Sequence, residues 1–131
     1  MKLPKETLTL GWREWVSLPQ LGIRQIKAKV DTGARTSALH AFSVRVFQEG
    51  DKERVEFMLH PVQKDNETVV TCVADILDRR TVTDSGGHKE ERFVISTELG
   101  IGKYSWPIEV TLTARDDMLF RMLIGRTAIK N

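Results

Sequence analysis

Ile26-Lys27-Ala28-Lys29-Val30-Asp31-Thr32-Gly33-Ala34 is the stretch that decides how this chain is read. Its first five residues alternate apolar and basic, the pattern of a strand with one buried and one wet face. The strand runs straight into an acid, a threonine, a glycine and a small residue. One reading is a plain turn, in which Gly33 supplies unusual backbone angles and Asp31 bonds nearby amides. The other is a carboxylate fixed at a strand end for chemistry. Thr32 would lock the loop by hydrogen bonding, and Gly33 would let backbone or substrate approach closely. Asp31 is therefore the candidate chemical centre.

The same period of two recurs outward from this stretch. Phe42, Val44 and Val46 alternate with Ser43 and Arg45, and Ile108, Val110 and Leu112 alternate with Glu109, Thr111 and Thr113. Val55 to Leu59, Val69 to Leu77, Arg80 to Thr83 and Glu91 to Ser96 are further strand candidates. Turn signals separate them at Glu49-Gly50-Asp51-Lys52, Lys64-Asp65-Asn66-Glu67, Ser85-Gly86-Gly87 and Gly100-Ile101-Gly102. Many short strands with regular turns predict a compact all-β domain. The one helix expected is short, at Arg126-Thr127-Ala128-Ile129.

The 131 residues suit a single domain over 1–131 with a real core. A net charge of +2, with acids and bases interspersed, gives no support to nucleic-acid binding. No stretch is long and apolar enough to span a membrane, and the first residues carry no apolar signal core. The lone Cys72 cannot form an internal disulfide and sits in an apolar run, which predicts a buried structural thiol. The expected setting is the cytoplasm, a reducing compartment.

A second mark lies near the C-terminus. Met122-Leu123-Ile124-Gly125-Arg126 is an apolar strand end followed by glycine and the short helix. Together with Ala28-Lys29-Val30-Asp31-Thr32-Gly33-Ala34 it resembles the lobe of a retroviral-type aspartic protease. In such a lobe a hydrophobic-hydrophobic-Gly element packs beneath the aspartate loop. The runs Gly11 to Pro19, Lys27 to Ala41 and Leu112 to Arg126 are more closely similar to the bacterial retropepsin-like family often labelled "ATP-dependent zinc protease". That family is associated with the ATP-grasp ligase that adds glutamates to a ribosomal protein.

The resemblance implies a closed, barrel-like acid-protease lobe with one short C-terminal helix. It implies an aspartic endopeptidase, with Asp31, Thr32 and Gly33 as catalytic residues and Ala34, Arg35 and Arg126 lining the substrate. Such enzymes need two carboxylates sharing a proton, so a homodimer would supply the second Asp31. A peptide or protein substrate and a glutamate ligase are the partners this implies. In retroviral-type lobes an acid commonly follows Asp-Thr-Gly-Ala and pairs with the late arginine. Here Arg35 holds that place while Arg126 is retained. Two free arginines would attract acidic or glutamate-rich peptides through forked hydrogen bonds. Alternatively, Glu14, Asp116 or Asp117 neutralises them.

Two other function classes stay in view. One is a binding or regulatory module of the same fold beside a glutamate ligase. The other is a metal-dependent peptidase, as the family label says. His40, His60, His88 and Cys72 are scattered, without metal-ligand spacing, so no metal is expected and His40 reads as a structural histidine. No glycine-rich run is followed by the lysine and hydroxyl of a phosphate loop, and no cofactor is expected. Asp84-Ser85-Gly86 also spells an acid-hydroxyl-glycine triplet, but lacks an apolar strand before it. It reads as a hairpin turn, and by its order in the chain as a candidate flap. Trp12, Trp15 and Trp106 are expected in the core or a dimer interface.

Overall fold

The structure, a computed structural model, describes residues 13–31, 33–61, 67–83, 86–114 and 120–129. Strand β1 (Arg13–Leu18) passes through a single 3-10 turn (Pro19–Leu21) into β2 (Ile23–Asp31). Then come β3 (Ser37–Ala41), β4 (Ser43–Glu49), β5 (Lys52–Leu59), β6 (Val70–Asp75) and β7 (Asp78–Thr83). The long pair β8 (Lys89–Ile101) and β9 (Tyr104–Ala114) is followed by β10 (Met122–Gly125) and one helical turn, α1 (Arg126–Ile129).

Six strands close on themselves in the order β1-β2-β10-β3-β9-β8, with β8 returning to β1 through Ser17 and Gly100. The strand β7 hangs on the outer edge of β8, and β4, β5 and β6 form a separate three-stranded sheet. Closure removes the free edges that a sheet of this size would expose. The expected closed all-β lobe with a short C-terminal helix is what the chain forms.

Alternation directs the packing. In β2, Ile26, Ala28 and Val30 point inward, as their period of two predicts. They meet Leu18, Leu39, Ile95, Leu99, Met122 and Ile124 in a core that Phe57, Leu59 and Cys72 of the three-stranded sheet complete. Cys72 is buried as expected, its thiol donating to Leu21 O at 3.3 Å. Burial away from water pushes that thiol from 9.0 up to about 12.

One local expectation changes, and a second is met in part. Gly100 and Ile101 belong to β8, and the turn falls on Gly102, whose φ is 58°. Gly100 sits at a close approach instead: a Cβ there would displace the Ser17 hydroxyl on β1. The tryptophans also divide. Trp106 is buried and donates its Nε1–H to Ala128 O at 2.7 Å, which fastens α1 to the barrel. Trp15 lies on the outer face, 47% exposed, with the Lys27 ammonium 5.1 Å from its ring centre. Trp12 lies outside the described residues.

Candidate active site

The last residue of β2 is Asp31, half-buried at the end of an otherwise apolar strand. The carboxylate is fixed from its own loop: Gly33 N–H donates to Asp31 Oδ1 at 3.0 Å. A tight turn follows, with Ala34 N–H donating to Asp31 O at 3.1 Å. Thr32, with the lock expected of it, lies outside the described residues.

Beneath this loop sits β10. It runs parallel to β2, placing Gly125 opposite Asp31, and antiparallel to β3, placing Met122 opposite Leu39. A strand wedged between two others in this way brings the C-terminal apolar run under the aspartate. Gly125 is the point of closest approach. A Cβ there would lie 2.6 Å from Thr36 C and 2.9 Å from Ser37 N, both backbone atoms that cannot swing aside. The buried Ser37 Oγ accepts the Gly125 N–H at 3.0 Å, so the backbone amide under the site is satisfied.

The start of α1 finishes the clamp. Arg126 N–H donates to Ala34 O at 2.9 Å, and Thr127 N–H donates to Arg35 O at 3.1 Å. The chain thus brings Asp31, Gly33, Ala34, Arg35 and Arg126 into one loop cluster, through three backbone bonds and the Gly33 bond to the Asp31 carboxylate. Both arginine side chains are exposed. Among the described residues neither takes part in an ion pair. Of the acids expected to neutralise them, Asp116 and Asp117 lie outside the described residues, and Glu14 sits on β1.

Beside the loop opens a cavity of about 710 Å³, lined by Arg35, Thr36, Thr127, Arg80, Ser96 and Glu109 among others. The sequence did not mark Ser37, Ser96 or Glu109 for this region. Ser37 carries the only signal that could have been read, a small polar residue at the start of a strand after the glycine loop.

The histidines do not gather. His40 is buried, with Nδ1 2.5 Å from Thr113 Oγ1, while His60 stacks on Phe42 at 4.4 Å and has Nδ1 3.1 Å from Thr68 O. Among the described residues no three His, Cys, Asp or Glu side chains converge as ligands. These residues do not fit a zinc site. The strands β7 and β8 pair antiparallel up to Thr83 and Lys89, a hairpin as expected, with Asp84 and Ser85 outside the described residues.

The description "Retropepsin-like aspartic endopeptidase RimB" matches residues 9–131. The chain belongs to this RimB-like family. RimB-like relatives of high similarity include a probable alpha-L-glutamate ligase of Desulfotalea psychrophila, 48% identical over 120 residues, and one of Shewanella halifaxensis, 43% identical over 122. The matches cover 92% and 93% of this chain but 26% and 27% of the relatives, so it spans about a quarter of their length. A solved structure from Legionella pneumophila, described as of unknown function (DUF785), superposes with a TM-score of 0.70 at 23% identity. It covers 90% of this chain and 83% of that one, and speaks to the RimB-like fold alone.

Proposed function

We propose that this chain is an aspartic peptidase that acts as a homodimer on peptide or protein substrates, with Asp31 of each subunit forming the catalytic pair. One observation carries the reading: a half-exposed carboxylate, held by the Gly33 amide at a strand end, over a glycine that allows no side chain beneath it. Such an acid is fixed yet reachable. In a facing pair, repulsion keeps both from ionising together, so one holds the proton. The ionised member draws a proton from water, whose oxygen attacks the peptide carbonyl carbon. The protonated member donates to the carbonyl oxygen. Gly33 keeps the carboxylate in place through its amide, Thr32 completes the catalytic triplet, and Ala34, Arg35 and Arg126 line the substrate. The exposed arginines favour acidic or glutamate-rich peptides. The working compartment is the cytoplasm, in keeping with a lone reduced thiol.

A second reading is supported by the relatives' names. Proteins called probable alpha-L-glutamate ligases contain a stretch like this whole chain plus much more. The domain would then hold or regulate a ligase and turn over little or nothing.

Asp31→Asn separates these readings. Under the peptidase reading it abolishes cleavage while circular dichroism and the melting curve stay in place, and a chelator leaves the wild type unaffected. Cleavage that survives Asp31→Asn but stops with a chelator establishes metal chemistry. A wild type that binds a ligase but cleaves no peptide supports the regulatory module.

A further inference from the structure

One edge of β8 is covered by a different strand at each end. Along its first half β7 covers it, with Asp78 opposite Val94 and Leu77 N–H donating to Val94 O at 2.8 Å. Near its far end β1 covers it, with Ser17 opposite Gly100. Between these contacts both neighbours peel away. Continuing the β1 register would set Pro19 opposite Glu98, and proline has no N–H to donate. The chain enters the 3-10 turn instead, and Gln20 Oε1 accepts the Glu98 N–H at 2.9 Å where a strand carbonyl would have done so. On the other side the chain before Leu77 leaves for β6 and the separate sheet. Alternate residues of a paired strand direct both N–H and C=O to the same edge. Val94, Glu98 and Gly100 use this edge, so Ser96 uses it too. Among the described residues neither ladder reaches Ser96 there.

A cavity of about 530 Å³ opens at this gap, bordered by Gln20, Leu21, Val73, Ile76, Leu77 and Ser96 among others. Leu77 is 55% exposed, the most exposed large apolar residue among those described. Arg54 and Asp75 also border the cavity, and Arg54 Nε lies 2.9 Å from Asp75 Oδ1, so the wall carries no net charge. It shares only Ser96 with the cavity beside the aspartate loop.

We propose that this gap holds an uncharged, extended peptide segment of a partner polypeptide, which adds to β8 at Ser96 and lays an aliphatic side chain on Leu77 and Val73. An open strand edge offers a donor and an acceptor one residue apart, and an extended main chain returns the matching pair. The neutral wall favours a segment without charge, since a lone charge there would lose water and gain no partner. Leu77 and Val73 supply the apolar surface that strand addition needs for selectivity between side chains. No residue of the aspartate loop borders the cavity, so its occupant is held and not cut. The proposal therefore stands apart from the peptidase reading.

The test uses nuclear magnetic resonance on the full chain carrying Asp31→Asn. The probe is acetyl-Ser-Leu-Ser-amide, compared with the same peptide methylated on the leucine nitrogen. The unmodified probe should shift the Ser96 amide signal and slow its hydrogen exchange. Loss of the donor by methylation should weaken binding by about threefold to tenfold. Leu77→Asp should weaken it by a similar factor, while Val69→Asp, an equal change of charge at an exposed apolar residue away from the cavity, should not. Wild-type chain incubated with the probe should leave it intact by mass spectrometry. Equal binding of the methylated peptide overturns strand addition. Shifts gathered at Gly33 to Arg35, or cleavage of the probe by the wild type, overturn the separate site. A Ser96 amide already protected in the free chain, or one that no amount of probe shifts, overturns the open gap.

Discussion

Asp31 and Cys72 show how placement decides what an ionisable side chain can do. Asp31 sits at a strand end with a backbone amide on its Oδ1 and solvent within reach. Cys72 is walled into the core with only a carbonyl for company, and its thiol is pushed up to about 12. A thiol that stays protonated is a poor nucleophile. Native protein at pH 8 should therefore resist iodoacetamide, and urea should expose Cys72 to rapid labelling, as mass spectrometry would record. The same burial gives a pH dependence. Above 9.0 the unfolded thiol loses its proton while the folded one keeps it, so stability contributed by Cys72 falls from there up to about 12. The slope approaches about 1.4 kcal/mol per pH unit in that window. Cys72→Ala should flatten this part of the alkaline stability curve in urea titrations. A variant curve that falls as steeply as the wild type would show that the folded thiol ionises as readily as the unfolded one.

Around the loop, β10 is the element on which the site depends. Its residues meet Asp31 and Ser37 from far along the chain, so the floor beneath the aspartate loop is complete only when the C-terminal segment docks. Gly125→Ala should cost about 1–3 kcal/mol or more, because the new methyl would meet Thr36 and Ser37 backbone that has nowhere to move. Ser37→Ala should cost about 1–3 kcal/mol for a subtler reason, a buried Gly125 amide left without its acceptor. Chemical denaturation of both variants checks these figures, and near-wild-type midpoints would refute the packing account. Much of this scale was readable beforehand. The alternation in β2 and β9, and the apolar run ending in Gly125, identified their strands directly. The strands β1 and β3 escaped notice for definite reasons. In β1 the largest apolar residue, Trp15, faces outward, while Val16 and Leu18 face the core, which blurs the alternation. In β3 polar residues are buried alongside apolar ones. Ser37 bonds the Gly125 amide and His40 Nδ1 meets Thr113, so no simple pattern of wet and dry faces survives. Gly100 misled because a glycine kept for close contact looks the same in sequence as one kept for a turn.

For the whole molecule, closure of the barrel and the clamp from α1 produce one aspartate loop among the described residues, and the proposed peptidase needs two. Dependence on a second chain therefore has a quantitative signature. If each site uses Asp31 from both subunits, mixed dimers of wild type and Asp31→Asn carry one active acid and do not cleave. Co-refolding the two at a fixed total concentration should make activity fall with the square of the wild-type fraction. A chain acting alone would give a straight line. Sedimentation of the same mixtures confirms that the variant still pairs, so that loss of activity is not loss of assembly. Dilution supplies the complementary measurement: specific activity should drop as the dimer dissociates, and recover on addition of inactive Asp31→Asn only if one aspartate is enough. Recovery of that kind would mean that the carboxylate at the end of β2 works without its twin, and that the chemistry belongs to a single barrel.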